Sequence, residues 1–283
     1  MKTKSPVEIL TNVSNTVTEK AQRKVSSLLI LSFLAGAFIA FAAEGSTMAA
    51  HNLLANPETT GLARTLTGAI FATGLMMILM AGGELFTGNT LIIIPVLDRK
   101  VTVRQMLLNW LLVYIGNLIG CLLIVWMMNH SGLFAASNGL FGGMTIKIAA
   151  GKIDMPFHRA FILGVMCNWL VCLAIWTSFA SRDPTGKILM LFFVISLFVI
   201  SGFEHSIANM YYIPAGIFAK QNPQWAAMSQ VSAEQLSGLN WINFAVKNLI
   251  PVTLGNIIGG AGMVGVLFRA ALKKRLSVSD TVD

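Results

Sequence analysis

The chain of 283 residues is 55% hydrophobic, only 11% charged, and carries a formal net charge of +8. A soluble domain of this length has no interior large enough for so much apolar surface, so the composition excludes a soluble enzyme or binding module and points to a membrane bundle. The basic residues lie between apolar runs and at the termini, with no aromatic-interleaved basic face, so they read as determinants of membrane orientation and not as a nucleic-acid surface.

Residues 1–26 are polar, and Leu10, Val13, Val17 and Ala21 share one helical face, which predicts an amphipathic cytoplasmic helix. The first apolar run already has spanning length, which argues against a cleavable signal. Six runs of about 20 residues or more follow. They occupy 27–50, 66–97, 106–128, 157–179, 188–218 and 244–270, a single pore domain over 27–270, before a basic and polar tail at 271–283. The second and fifth runs are too long for one straight helix. Each is interrupted, at Met80-Ala-Gly-Gly-Glu-Leu-Phe-Thr-Gly-Asn89 and at Ser201-Gly-Phe-Glu-His-Ser-Ile-Ala-Asn209.

Six spans place both termini on one side. Lys2, Lys4, Lys20, Arg23, Lys24, Arg99, Lys100, Arg104, Arg182, Lys187, Arg269, Lys273, Lys274 and Arg275 fall on that side, against Arg64, Lys147, Lys152, Arg159, Lys220 and Lys247 on the other. The excess assigns the termini to the cytoplasm.

Gly116-Asn-Leu-Ile-Gly120 in the third span is matched by Gly255-Asn-Ile-Ile-Gly259 in the sixth, and the break in the second by the break in the fifth. Alone, each glycine pair signals close helix packing. Together they signal a duplication of three spans. An odd number of spans inverts the second copy, so the predicted fold is all-α, with six transmembrane helices in two inverted three-helix repeats.

A helix broken inside hydrocarbon leaves amides and carbonyls without partners, so protein or water must satisfy them. Glu84, Asn89, Glu204 and Asn209 are placed to support the breaks, the glutamates by tying loop amides or, alternatively, by moving protons. Half-helix N-termini direct positive partial charge at the pore and favour an anion. Of the four histidines only His205 sits at a midspan break, where an ionisable residue suggests function. The bland alternative is a histidine satisfied by a neighbouring amide. Asn168, midway along the fourth span, is its expected polar partner. Lys152 is either a solvated loop lysine or a charge at the pore mouth that concentrates anions. Cys121, Cys167 and Cys172 lie inside apolar runs without metal or disulfide spacing and read as small core residues.

The stretches Gly83-Glu-Leu-Phe-Thr-Gly-Asn89, Cys167-Asn-Trp-Leu-Val-Cys-Leu-Ala-Ile-Trp176, Ser201-Gly-Phe-Glu-His-Ser-Ile-Ala-Asn-Met210 and Asn248-Leu-Ile-Pro-Val-Thr-Leu-Gly-Asn-Ile-Ile-Gly259 closely resemble the formate–nitrite transporter family over all six spans. The resemblance implies an aquaporin-like protomer, a homopentamer with one pore per subunit in a bacterial cytoplasmic membrane, and transport of formate, nitrite or hydrosulfide. It implies Thr87 as a pore-facing loop threonine, His205 as the central histidine, Asn168 as its hydrogen-bonding partner and Lys152 as a vestibule lysine. Phe71, Leu75, Leu85, Val171 and Phe198 match the apolar constrictions. Such a slit rejects a hydrated anion but passes a weak acid that has gained a proton, which His205 and its waters would supply. At rest the apolar slit favours the neutral ring.

An aquaporin-type neutral-solute channel is the alternative from another class. It is opposed by the missing pair of intramembrane Asn-Pro-Ala motifs, since the Asn-Pro pairs at Asn56 and Asn222 fall in loops. No cofactor-binding motif and no nucleophile–base constellation appears, so neither an enzyme nor a cofactor is expected. The expected ligands are membrane lipid and a small monovalent anion, formate first, then nitrite or hydrosulfide.

Overall fold

The computed structural model describes residues 3–279. Lys2 and the last four residues of the predicted tail lie outside them, as do the side chains of Lys274 and Arg275. Helix α1 (Pro6–Ala21) opens on a capping box between Ser5 and Glu8, with Pro6 in its first turn. Leu10, Val13 and Val17 on its apolar face are buried. The first span is α2 (Val25–Leu54), and the second is α3 (Thr60–Ala81) followed by the half-length α4 (Phe86–Leu97). Span three is α5 (Val103–His130). A buried helix, α6 (Leu140–Ile153), precedes span four, α7 (Phe157–Ser178). Span five is α8 (Pro184–Ile200) and α9 (Ser206–Ala219), and span six is α10 (Trp241–Lys273). The described residues therefore form six spans, with the second and fifth broken.

Both breaks use the same local device. Gly82 and Gly202 have φ of +83° and +75°, a left-handed conformation that costs glycine little and ends the preceding helix. The following amides then reach back, Gly83 N–H to the Ile78 carbonyl at 2.7 Å and Phe203 N–H to the Phe198 carbonyl at 3.2 Å.

The duplication appears as paired helix contacts. A Cβ on Gly116 or Gly120 of α5 would collide with α2, at Ser32 and the Phe33 carbonyl. A Cβ on Gly255 or Gly259 of α10 would collide with α7, at the Phe161 and Val165 carbonyls. Small residues thus bring the backbones together in each half, as lipid-embedded helices require. The sequence does not announce α6, which is shorter than a bilayer and glycine-rich. It enters the protein through Phe141, Ile146, Ala149 and Ile153, all buried.

At the end of α4, Asp98 accepts hydrogen bonds from Arg269 (2.6 Å) and Lys273 (2.8 Å) of α10. Burial alone would raise its carboxyl, but the hydrogen bonds and charges of Lys273 and Arg269 outweigh it and hold the group below its ordinary range. A carboxyl depressed in this way stabilises the fold above its ordinary range and ceases to as pH falls through its folded value. Melting scans of the detergent-solubilised protein should therefore show Asp98→Asn less stable than the parent at pH 7. The gap should narrow below about pH 4; a gap independent of pH would remove Asp98 from this account.

Candidate functional site

Two buried asparagines brace the breaks. Asn117 of α5 accepts from the Phe86 amide (3.0 Å) and donates to the carbonyls of Ser32 (2.7 Å) and Glu84 (2.9 Å). Asn256 of α10 accepts from the Ser206 amide (2.9 Å) and donates to the carbonyls of Gly164 (2.8 Å) and Glu204 (3.0 Å). Each carboxamide thus replaces the helix bonds that the break removes. This corrects the expectation that Glu84 and Glu204 tie the loop amides.

The glutamates instead form two matching charge clusters. Glu84 accepts from Lys20 (3.1 Å) and Asn89 (2.8 Å), with Arg23 at 3.5 Å, and Asn89 donates on to Asn109 (2.9 Å). Glu204 accepts from Lys152 (2.7 Å) and Asn209 (2.7 Å), and Asn209 donates on to Asn248 (2.7 Å). The circuit closes on the backbone in both halves, Asn109 donating to the Lys20 carbonyl and Asn248 to that of Lys152. So α1 is to the first half what α6 is to the second. Lys152 lies 5.3 Å from the centre of the Tyr212 ring as well. Each carboxylate is buried with a cation, which removes the penalty of a lone charge in the membrane.

Sequence reasoning missed Lys20, Arg23, Asn109 and Asn248, and read Asn117 and Asn256 only as parts of packing motifs. The repeated Gly-Asn pair was the available signal, because a packing motif alone does not need the asparagine.

His205 caps α9 through its ring. The Ala208 amide donates to Nδ1 (3.1 Å), which makes Nδ1 an acceptor and assigns the proton of the neutral ring to Nε2. Nε2–H then faces Thr87 Oγ1 at 3.1 Å, so the hydroxyl of one broken helix meets the imidazole of the other. Both side chains are buried. The expected pairing of Asn168 with His205 is corrected. Asn168 Nδ2 bonds to the carbonyls of Asn256 (2.7 Å) and Thr87 (3.1 Å) and to Thr90 Oγ1 (3.2 Å), reaching the histidine only through Thr87.

A cavity opens at each break, and the one at the second break reaches His205. One of about 270 Å³ is lined by His205, Phe71, Phe198, Lys152, Glu204 and Arg64 among others. The other, about 260 Å³, is lined by Lys20, Arg23, Lys187, Glu84, Ile78 and Leu191 among others. Phe71 meets Phe198 edge to face at 5.8 Å, and Phe198 stacks over His205 at 6.0 Å. Phe71, Leu75 and Ile78 recur on one face of α3, so Leu75 sits between residues that line opposite cavities. Phe198, Ile195 and Leu191 repeat this on α8, with Ile195 buried and unanticipated. Leu85 and Val171 are also buried. Leu85 occupies in the first break the place that His205 holds in the second.

Two cavities that end on an apolar layer at a pair of broken, inverted half-helices define a membrane channel or transporter. Residues 7–270 match the family model described as "Formate/nitrite transporter". The chain belongs to the formate/nitrite transporter family. It is 38% identical to the formate channel FocA of Haemophilus influenzae, over 95% of each chain. It is 36% identical to the formate channel BtFdhC of Bacillus thuringiensis, over 96% of this chain and 97% of that one. A solved structure titled "Pentameric formate channel with formate bound" superposes with a TM-score of 0.80 at 37% identity, covering 87% of this chain and 97% of that one.

Proposed function

We propose that the protein is a homopentameric channel of the bacterial cytoplasmic membrane, with one pore per subunit and both termini cytoplasmic. It passes small monovalent anions of weak acids, formate foremost. The relatives named formate channels and the pentameric solved relative with formate bound support the substrate and the assembly. The excess of lysine and arginine on the side of the termini supports the orientation. The observation that carries the reading is the His205–Thr87 pair, a neutral N–H and a hydroxyl buried in an apolar layer between two lysine-bearing cavities.

An anion entering the wider field of Lys152 and Arg64 reaches Nε2–H as a donor. It crosses the apolar layer as the neutral acid once it has taken a proton from hydronium in the cavity, which leaves water behind. Nδ1 is occupied by the Ala208 amide, so a second proton on the ring requires breaking the helix cap.

Proteoliposomes of the purified protein should take up formate in preference to nitrite and hydrosulfide, faster at external pH 5 than at pH 7. Lys152→Met should lower uptake several-fold at low ionic strength and much less in physiological salt, where fields are screened beyond about 8 Å. Uptake that ignores both pH and Lys152 would refute the reading.

A further inference from the structure

The two halves differ where the fourth span meets the sixth. Glycine contacts superpose α2 on α7 and α5 on α10 so that Gly36 corresponds to Asn168, and Cys121 to Gly260. The larger side chain has changed helix between the halves. In the first half Gly36 lies so close to the Asn117 carbonyl that a Cβ would collide, and Cys121 of α5 fills the remaining space. In the second half Asn168 of α7 fills it, and Gly260 leaves the room. A Cβ on Gly260 would overlap Asn168 Nδ2 and Thr90 Oγ1 and lie 2.8 Å from Cys172 Sγ. Gly260 belongs to a π-helical stretch, Ile258–Val266, a distortion that often marks functional positions.

The exchange has unequal effects on the two breaks. The Ile207 carbonyl, matching that of Thr87, receives one thiol, Cys121 Sγ at 3.5 Å. The Thr87 carbonyl receives the Thr90 hydroxyl (2.6 Å), the Asn168 amide (3.1 Å) and the Cys172 thiol (3.3 Å). A carbonyl has two lone pairs, so its direction is fixed by more donors than it needs.

We infer that Gly260 is a positioning residue for transport: the space it leaves admits Asn168, which clamps the Thr87 backbone and so holds the Thr87 hydroxyl on His205. This inference rests on the role proposed above for the His205–Thr87 pair.

The test is a double-mutant cycle on formate uptake by the purified pentamer, read across pH, with melting temperature recorded alongside. Thr87→Val and Gly260→Ala should each lower uptake about tenfold and give the same altered pH profile, and the double variant should be no worse than either. Gly265→Ala also adds a methyl to the sixth span, but against the γ2 methyl of Ile93 and not against Asn168 or Thr90. It should leave the pH profile unchanged. Removing the clash in Gly260→Ala/Asn168→Ala should restore the melting temperature and not the uptake. If Gly260→Ala does not assemble, Asn168→Ala takes its place in the cycle with the same expectation. Losses that multiply in the double variant, or uptake restored by relieving the clash, would overturn the inference. A Thr87→Val variant that behaves like the parent would instead refute the role of the pair.

Discussion

His205→Phe is expected to lower acid-stimulated formate uptake by about 10- to 100-fold. The substitution keeps an aromatic of similar bulk under Phe198 but leaves the Ala208 amide and the Thr87 hydroxyl without partners in a buried layer, each at a cost of about 1–3 kcal/mol. It also removes the donor that meets the anion, and about 1.4 kcal/mol of barrier is a factor of ten in rate. His205→Asn separates donor from proton carrier. Asparagine is a preferred helix N-cap. Its Oδ1 can take the Ala208 amide while its Nδ2, one bond short of the position of Nε2, keeps a donor in a group that does not titrate. A channel that uses the ring as a neutral donor retains acid stimulation in His205→Asn. Persistent anion current without acid stimulation would show that the ring itself carries the proton. Uptake at the parent level in both variants would reduce His205 to a helix cap.

The second large effect belongs to a residue that touches no substrate. Asn256→Ala strands the Ser206 amide and the Glu204 carbonyl at once and cuts the tie to the Gly164 carbonyl of span four. At about 1–3 kcal/mol for each buried orphan, and without bulk water in the bilayer core to compensate, the sum is a large fraction of the stability of a marginal domain. The variant should fail to yield monodisperse oligomer in detergent, whereas Leu254→Ala, on the exposed face of the same span, should purify like the parent. An Asn256→Ala protein that purifies and melts like the parent would mean that water replaces the carboxamide.

The six spans, the inversion and both breaks were legible because each rests on a local cause: a long apolar run, a glycine free to take positive φ, or a motif repeated in order. His205 stood out as an ionisable group in an apolar setting and Lys152 as a charge beside the fourth span, whereas Thr87 was named only through the family resemblance. Partners were not. Which acceptor Asn168 finds depends on the rotation of α7 against α10 and on a glycine on the other helix, neither of which has a periodic signature. Lys20 closes the end of a polar helix and looks solvated until the chain has folded Glu84 against it. The glutamates were rightly placed at the breaks but wrongly paired, because an amide and an ammonium are equally plausible partners for a carboxylate when only sequence distance is known.

The matching of Lys20–Glu84 with Lys152–Glu204 bears on how current depends on voltage. An anion arriving from either side meets a lysine–glutamate pair at a helix break before it reaches the apolar layer. These pairs alone would make the barrier a mirror image of itself, and a symmetric barrier does not rectify. Arg23 and Lys187 on one side, Arg64 on the other and His205 in the second break alone all break the mirror. The direction of net flow through such a pore is set by the concentrations of anion and proton on its two sides, while these unmatched groups tilt its current–voltage relation.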